Sequence, residues 1–194
     1  MLKFTLDTNC IIDVDCKRPS APAVIALADA AKTGRADVAL VASSASERQA
    51  GDYFLENFEV FQDRASSLGF GNLPILRPIA RWGMAFWGHG VWDGPELRAR
   101  ENAIYRALFP QSPYEWADYA TSKGVDPEDK PSPAYFRWRN QILDAQAYWA
   151  HENARRDIFV TSDGRFKVLE ENGAFPSARI CLPEEALATL QRAL

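Results

Sequence analysis

The feature that most constrains this chain is a short apolar segment near its start that ends on an acidic residue. Lys3–Leu6 is rich in residues that favour strands, which predicts a buried β-strand. Asp7 follows directly, and Thr8 or Asn9 can cap the helical turn expected next. Open α/β sheets bind their ligands at the carboxyl ends of their strands. A buried carboxylate there is costly unless a cation or a hydrogen bond meets it.

The rest of the chain alternates predicted strands with predicted helices, which is typical of a parallel sheet covered by helices. The predicted strands are 3–6, 37–41, 73–78, 157–161 and 178–182, and the predicted helices are 20–32, 43–64, 96–109, 134–155, 166–171 and 183–194. The two prolines of the third strand favour an edge position. The expected fold class is therefore α/β, with a central, mostly parallel sheet.

Residues 79–133 are predicted to form an inserted loop and helix segment within a single domain that spans 1–194. Weak helical patterning covers 79–84. The five prolines of 110–133 predict a surface excursion that lacks core residues, with one helical turn near Trp116. Three tryptophans at five-residue spacing, Trp82, Trp87 and Trp92, are expected to pack beneath a loop. A stacking surface for bases, or a surface for a partner peptide, is the alternative.

The composition limits the classes of function. A net charge of −4 argues against a basic coat for nucleic acid, although it leaves room for an enzyme that holds phosphates through metal ions. No apolar run is long enough for a membrane span, and the chain starts directly on a strand, so neither a span nor a signal peptide is expected. Three cysteines without a CxxC pair indicate reduced thiols and a cytoplasmic protein. Two histidines disfavour a zinc site.

Four acidic residues are predicted to meet at one edge of the sheet. Asp7 and Asp163 each follow a predicted strand, and Glu47 comes a few residues after another. Asp144 lies in the long helix before the strand that leads to Asp163, and this out-and-back path returns the two residues close to each other. Four converging carboxylates repel one another, and hard divalent cations with oxygen ligands remove that cost.

These residues and their neighbours resemble the PIN domain family of metal-dependent nucleases. The matching segments occur in the family's order and are Leu6-Asp7-Thr8-Asn9, Ser46-Glu47-Arg48, Asp144 and Val160-Thr161-Ser162-Asp163. The resemblance covers roughly residues 1–68 and 135–182. It implies a three-layer α/β/α sandwich and Mg²⁺ or Mn²⁺ held by the four acids. It also implies hydrolysis of phosphodiester bonds, usually of RNA. Many bacterial members are toxins of toxin–antitoxin pairs, and often homodimers.

We therefore expect a Mg²⁺- or Mn²⁺-dependent endoribonuclease, for which the resemblance implies an RNA substrate and, as in many members of the family, an antitoxin partner and a homodimeric state. Asp7, Glu47, Asp144 and Asp163 are the expected catalytic and metal-binding residues. Supporting polar groups are expected at Thr8, Asn9, Thr161 and Ser162, and substrate contacts at Lys17, Arg18, Arg48 and Arg165.

Each acid also has a structural explanation. Asp7 can be a helix cap and Glu47 a partner of the helix dipole, while Asp163 can be a turn residue before a glycine. Asp144 can be a solvated helix residue. A catalytically idle PIN-like module that binds RNA or protein is the alternative function. Another metal-dependent α/β hydrolase is disfavoured because no glycine-rich phosphate loop follows the first strand.

Overall fold

A computed structural model describes residues 1–45, 58–86, 88–130 and 132–193 of the protein. Its strands are β1 (Lys3–Leu6), β2 (Asp37–Val41), β3 (Ile75–Leu76), β4 (Ile158–Val160) and β5 (Ile180–Cys181). Its helices are α1 (Thr8–Asp15), α2 (Ala21–Lys32), α3 (Phe58–Ser67), α4 (Pro95–Leu108), α5 (Trp116–Ser122), α6 (Pro133–Asn153), α7 (Val168–Glu171) and α8 (Pro183–Ala193). Short 3-10 turns cover Ala42–Ala45 and Gly164–Lys167.

The five strands form one parallel sheet in the order β3-β2-β1-β4-β5. The predicted parallel sheet is therefore confirmed, and β3, the strand with flanking prolines, lies at the edge. Leu6 on β1 stands opposite Val160 on β4. Because this pair is parallel and in register at its last residues, the two chain segments that leave β1 and β4 start side by side at the carboxyl edge of the sheet.

Apolar side chains cover both faces of the sheet. On one face, strand residues such as Phe4 and Val160 pack with residues of α1, α2, α3 and α8. On the other, Phe159 and Ile180 pack with residues of α4, α5, α6 and α7. Strands buried on both faces are expected in a parallel sheet, since helices cover each side. The arrangement is compatible with a three-layer α/β/α sandwich. None of the described helices is both long and apolar enough to cross a membrane.

The expectation that 110–133 lacks core residues is wrong. Trp116 and Tyr119 of α5 are buried in the same cluster as Trp138 of α6. The indole Nε1 of Trp116 donates to the carbonyl of Pro127 at 2.7 Å, and that of Trp138 donates to the carbonyl of Tyr114 at 3.0 Å. Aromatic side chains thus supply the core that the few branched aliphatic residues of this segment do not.

Two expectations for the segment after β3 are also wrong. Residues 79–84 are not helical, because Ile79 forms an isolated bridge with Val91 instead. Trp82 and Trp92 are not packed beneath a loop, since they are 102% and 81% exposed. Trp87 lies outside the described residues.

The predicted helix at 43–64 differs from the structure at its start. The chain leaves β2 through the 3-10 turn Ala42–Ala45, and α3 begins at Phe58, with 46–57 outside the described residues. After β1 the chain forms the eight-residue helix α1, where only a helical turn was expected.

Trp116 and Trp82 test whether the inserted segment is part of the core. Trp116→Ala is expected to lower the free energy of unfolding by about 3–5 kcal/mol, because it leaves a cavity in a packed aromatic cluster. Trp82→Ala removes the same side chain from an exposed position and is expected to change it by about 0.5 kcal/mol or less. Urea denaturation measures both. Equal losses in the two variants would contradict the packing described for α5.

Candidate functional site

The register of β1 and β4 brings Asp7 and Asp163 to the same place. The backbone N–H of Asp7 donates to the carbonyl of Val160 at 2.9 Å, which extends the pairing one residue beyond β1. The hydroxyl of Thr161 donates to Oδ2 of Asp7 at 2.7 Å and accepts from the backbone N–H of Asp163 at 3.0 Å. Thr161 therefore connects the two acidic residues directly.

Asp7 is buried and held by short-range hydrogen bonds. Its Oδ1 accepts from the backbone N–H of Thr8 at 2.8 Å, and its Oδ2 accepts from Nδ2 of Asn9 at 3.0 Å. Asp7 is thus the N-cap of α1, and the expectation that Thr8 or Asn9 caps this helix is wrong. The cap also has a consequence for the site, because it fixes the carboxylate of Asp7 at the carboxyl edge of the sheet.

Asp144 joins the same cluster through Arg165. Asp144 lies on α6, and its Oδ2 accepts from Nη2 of Arg165 at 3.3 Å. Nε of Arg165 donates to Oδ2 of Asp163 at 2.8 Å and to its Oδ1 at 3.1 Å. The guanidinium also lies 5.3 Å from the ring centroid of Phe109. One arginine therefore bridges a carboxylate that follows β4 and a carboxylate on α6.

Burial and repulsion between the acids both raise the pKa values of Asp7 and Asp144. Burial raises the pKa of Asp7 against the hydrogen bonds from Thr161, Thr8 and Asn9, and the nearby charge of Asp163 raises it further. Burial raises the pKa of Asp144 well above its ordinary value, and the charges of Asp7 and Asp163 add to that rise while Arg165 opposes it. Burial also acts on Asp163, but hydrogen bonds from Arg165 outweigh it and lower the pKa of Asp163.

The structure thus brings together three of the four predicted acids: Asp7, Asp144 and Asp163. Glu47 and Arg48 lie outside the described residues. The three carboxylates offer the oxygen ligands that hard divalent cations prefer. Within the described ranges, however, no group of three or more His, Cys, Asp or Glu side chains is arranged to hold a metal ion. Here the cation that contacts Asp144 and Asp163 is the side chain of Arg165.

Of the other predicted residues, only some contact the acids. Asn9 and Thr161 contact Asp7 directly, as supporting groups would. The hydroxyl of Thr8 instead donates to the hydroxyl of Ser44 at 2.7 Å. Lys17 is exposed beyond the end of α1.

Asp13 is a site residue that the sequence analysis missed. It is buried on α1, and its Oδ2 accepts from the hydroxyls of Ser162 and Ser20 while its Oδ1 accepts from Nη1 of Arg18 at 3.1 Å. Ser162 and Arg18 are therefore bonded to Asp13. The signal was present in the sequence, since Asp13 is an acid within the apolar run 11–14. Its bonds anchor the segment between Thr161 and Asp163 to α1.

Comparisons of the chain with protein-family models, with curated proteins and with solved structures gave no match in any of the three. The resemblance to the PIN domain family therefore stays a prediction. Of the four segments that carry it, the one with Glu47 lies outside the described residues, so function has to be inferred from the geometry of Asp7, Asp144 and Asp163.

The pKa of Asp144 is raised and that of Asp163 is lowered, and these opposite shifts predict opposite effects of pH on stability. A raised pKa means that the folded protein binds the proton of Asp144 more tightly than the unfolded chain does. Its ionisation therefore destabilises the fold as pH rises from the ordinary carboxyl range through the raised pKa. In EDTA, Asp144→Asn is expected to gain on the order of 1 kcal/mol relative to wild type at pH 8, and to show little difference near pH 3.5.

Asp163→Asn is the matched control. The lowered pKa of Asp163 contributes stability above its unfolded value, and this stability is lost as pH falls. This variant should therefore lose stability at pH 8 and approach wild type in acid. Chemical denaturation at both pH values measures the differences, and a loss of stability at pH 8 in Asp144→Asn would contradict the electrostatic description of the cluster.

Proposed function

We propose that this protein is a Mg²⁺- or Mn²⁺-dependent endoribonuclease with a PIN-like site. The observation that supports the proposal best is the convergence of three carboxylates from β1, α6 and the segment after β4. Asp7 and Asp163 are linked through Thr161, and Asp163 and Asp144 through Arg165. RNA is the substrate that the resemblance to PIN domains implies.

The residues fit a divalent cation by their chemistry. Asp7, Asp144 and Asp163 would hold it, since all three are oxygen ligands at one edge of the sheet. Burial raises the pKa of Asp7 and of Asp144, and neighbouring negative charges add to both rises, so a cation bound beside them would favour their ionised forms. A bound cation supplies Lewis-acid stabilisation of the scissile phosphate and lowers the pKa of a water that attacks it.

The protein's own groups prepare the site for this chemistry. Thr161 and Asn9 fix the orientation of the Asp7 carboxylate, as supporting groups orient the ligands of a metal site. The guanidinium of Arg165 is planar and can bind two oxygens of a phosphate as it now binds two carboxylates. Arg165 would therefore exchange its carboxylate partners for the phosphate of a bound RNA, which agrees with its predicted role in substrate binding.

An RNA cleavage assay tests the proposal. Single-stranded RNA is incubated with Mn²⁺ or Mg²⁺, and with EDTA, using wild type, Asp7→Asn and Asp163→Asn. Each substitution is expected to lower the cleavage rate by about 100-fold or more, because each removes a negative ligand from the cluster. Asp157→Asn is the control, since Asp157 precedes the same strand, β4, at the opposite edge. Cleavage that persists in EDTA or in the variants of the cluster would contradict the proposal.

A second candidate is a catalytically idle module that binds RNA or protein. Two observations favour it: Arg165 already pairs with two of the acids, and Trp82 and Trp92 present exposed indole rings after β3. Indole rings stack on unpaired bases, and they also anchor protein partners such as an antitoxin. Tight binding of RNA or of a partner protein without metal-dependent cleavage, with binding lost in Trp82→Ala, would support this candidate.

A further inference from the structure

A concave surface lies at the opposite edge of the sheet from the acid cluster. It is a cavity of about 650 Å³ at the amino ends of the strands, where α6 ends and where β4 and β5 begin. The residues that matter most for its chemistry are Arg155, Arg156, Ser177 and Arg179. Its volume falls within the range of pockets that hold small molecules, roughly 300–1,000 Å³.

Most of the charged groups in this cavity already have partners. Arg156 donates to the carbonyl of Phe4 and to Oδ1 of Asp37, the latter at 2.7 Å. Glu152 forms an ion pair with Arg100. Asp157 accepts from the backbone N–H of Lys3 at 2.8 Å. Of the two acids of the cavity wall, Glu152 is therefore paired with a cation, whereas Asp157 has a backbone N–H as its partner.

Arg155 and Arg179 differ from these charged residues in their lack of partners in the described part of the chain. Across the described residues, no hydrogen bond or ion pair of either side chain is found. Ser177 adds a hydroxyl to the same wall. The lining holds three arginines and two acids, so the cavity carries a small excess of positive charge, and a planar guanidinium group can donate two parallel hydrogen bonds to a phosphate.

The backbone of Arg155 also takes a conformation that is unusual for a residue other than glycine. Arg155 follows α6 with φ of +48°, a left-handed conformation that glycine adopts at lower cost. Gly34 and Gly124 take the corresponding positions after α2 and α5, with φ of +68° and +66°. Lys17, after α1, is the other described non-glycine residue with positive φ. At position 155 an arginine replaces the residue that the turn prefers, and among the described residues its side chain forms no ion pair with an acid.

The remaining walls suit a ligand with a flat, weakly polar portion. Leu2, Pro176 and Ala178 give the cavity apolar surface, and the rings of Tyr148 and His151 lie behind it. His151 is buried and its Nδ1 is 2.9 Å from the hydroxyl of Thr5. Burial lowers the pKa of His151 to about 3, so it is a neutral ring at physiological pH.

We propose that this cavity binds a phosphate-bearing ligand of nucleoside monophosphate size through Arg155 and Arg179. The phosphate would lie between the two guanidinium groups with the hydroxyl of Ser177, and the base would lie against the apolar wall. This site is separate from the acid cluster, because it uses the opposite edge of the sheet. The proposal therefore does not depend on nuclease activity.

Isothermal titration calorimetry of the full chain in EDTA tests it. Adenosine 5′-monophosphate is the ligand, and adenosine, which lacks the phosphate, is the matched control ligand. The monophosphate is expected to bind at least about 10-fold more tightly than adenosine, and to bind more weakly as salt is raised. Equal binding of both ligands, or no binding of the monophosphate at millimolar concentration, would overturn the proposal.

Two variants locate the binding. Arg155→Gly is expected to weaken the monophosphate about 10-fold, while its Tm stays equal to wild type or rises because glycine relieves the left-handed turn. Arg179→Gln should weaken binding to a similar extent, and Arg192→Gln on α8 should leave it unchanged. Unchanged binding in both Arg155→Gly and Arg179→Gln would place the ligand elsewhere and refute the assignment.

A short single-stranded RNA distinguishes the source of the phosphate. If the RNA competes with the monophosphate and loses affinity in the same two variants, the cavity takes a phosphate of the RNA chain, and the assignment of the cavity stands. If the RNA does not compete, the ligand is a free mononucleotide. Binding of the monophosphate should persist in Asp7→Asn, so a failure here leaves the proposed nuclease site untouched.

Discussion

The parallel pairing of β1 with β4 is the interaction on which the site depends. Leu6 stands opposite Val160, and the backbone N–H of Asp7 continues the pairing to the carbonyl of Val160. A shift of one residue would turn the side chains of β1 to the other face of the sheet and would separate Asp7 from Thr161. The register is protected by burial, because Phe4 and Leu6 point into one core and Thr5 towards His151 on the other face.

Burying the negative charges of the acid cluster is unfavourable, and the surrounding hydrogen-bond donors and Arg165 offset only part of that cost. Three hydrogen bonds stabilise the ionised form of Asp7, yet burial still raises its pKa. Arg165 neutralises Asp163 more effectively than Asp144, because both its Nε and its Nη2 donate to Asp163, whereas only a longer bond from Nη2 reaches Asp144. A fold keeps such a charge arrangement most readily where it has a use, since buried acids with perturbed pKa values cluster at functional sites.

The features that the sequence predicted well are those that depend on local pattern. The apolar runs of β1, β2 and β4 identified the strands, and an acid one residue after β1 and another three residues after β4 placed Asp7 and Asp163 at the same edge. The position of Asp144 followed from the path length back to Asp163, together with the resemblance to the PIN domain family. These inferences work because strand burial and strand rise hardly depend on the rest of the protein.

The features that the sequence did not predict depend on tertiary contacts. The ion pair of Arg165 with Asp144 joins residues from different elements, and nothing local distinguishes it from a basic residue on the surface. Asp13 was missed because only one helical turn was expected where α1 runs for eight residues. The aromatic core around Trp116 was missed because proline content outweighed the aromatic residues as a signal. The five-residue spacing of the tryptophans does not indicate that Trp82 and Trp92 are exposed.

The central claim is that the carboxylates of Asp7, Asp144 and Asp163 face one point and hold a divalent cation there. A crystal soaked with Mn²⁺, with diffraction measured at a wavelength where manganese scatters anomalously, tests it most directly. We expect an anomalous peak within coordination distance of the three carboxylates, with the guanidinium of Arg165 moved away from Asp144. A map without such a peak at saturating Mn²⁺, with Arg165 still bound to Asp144 and Asp163, would contradict the account.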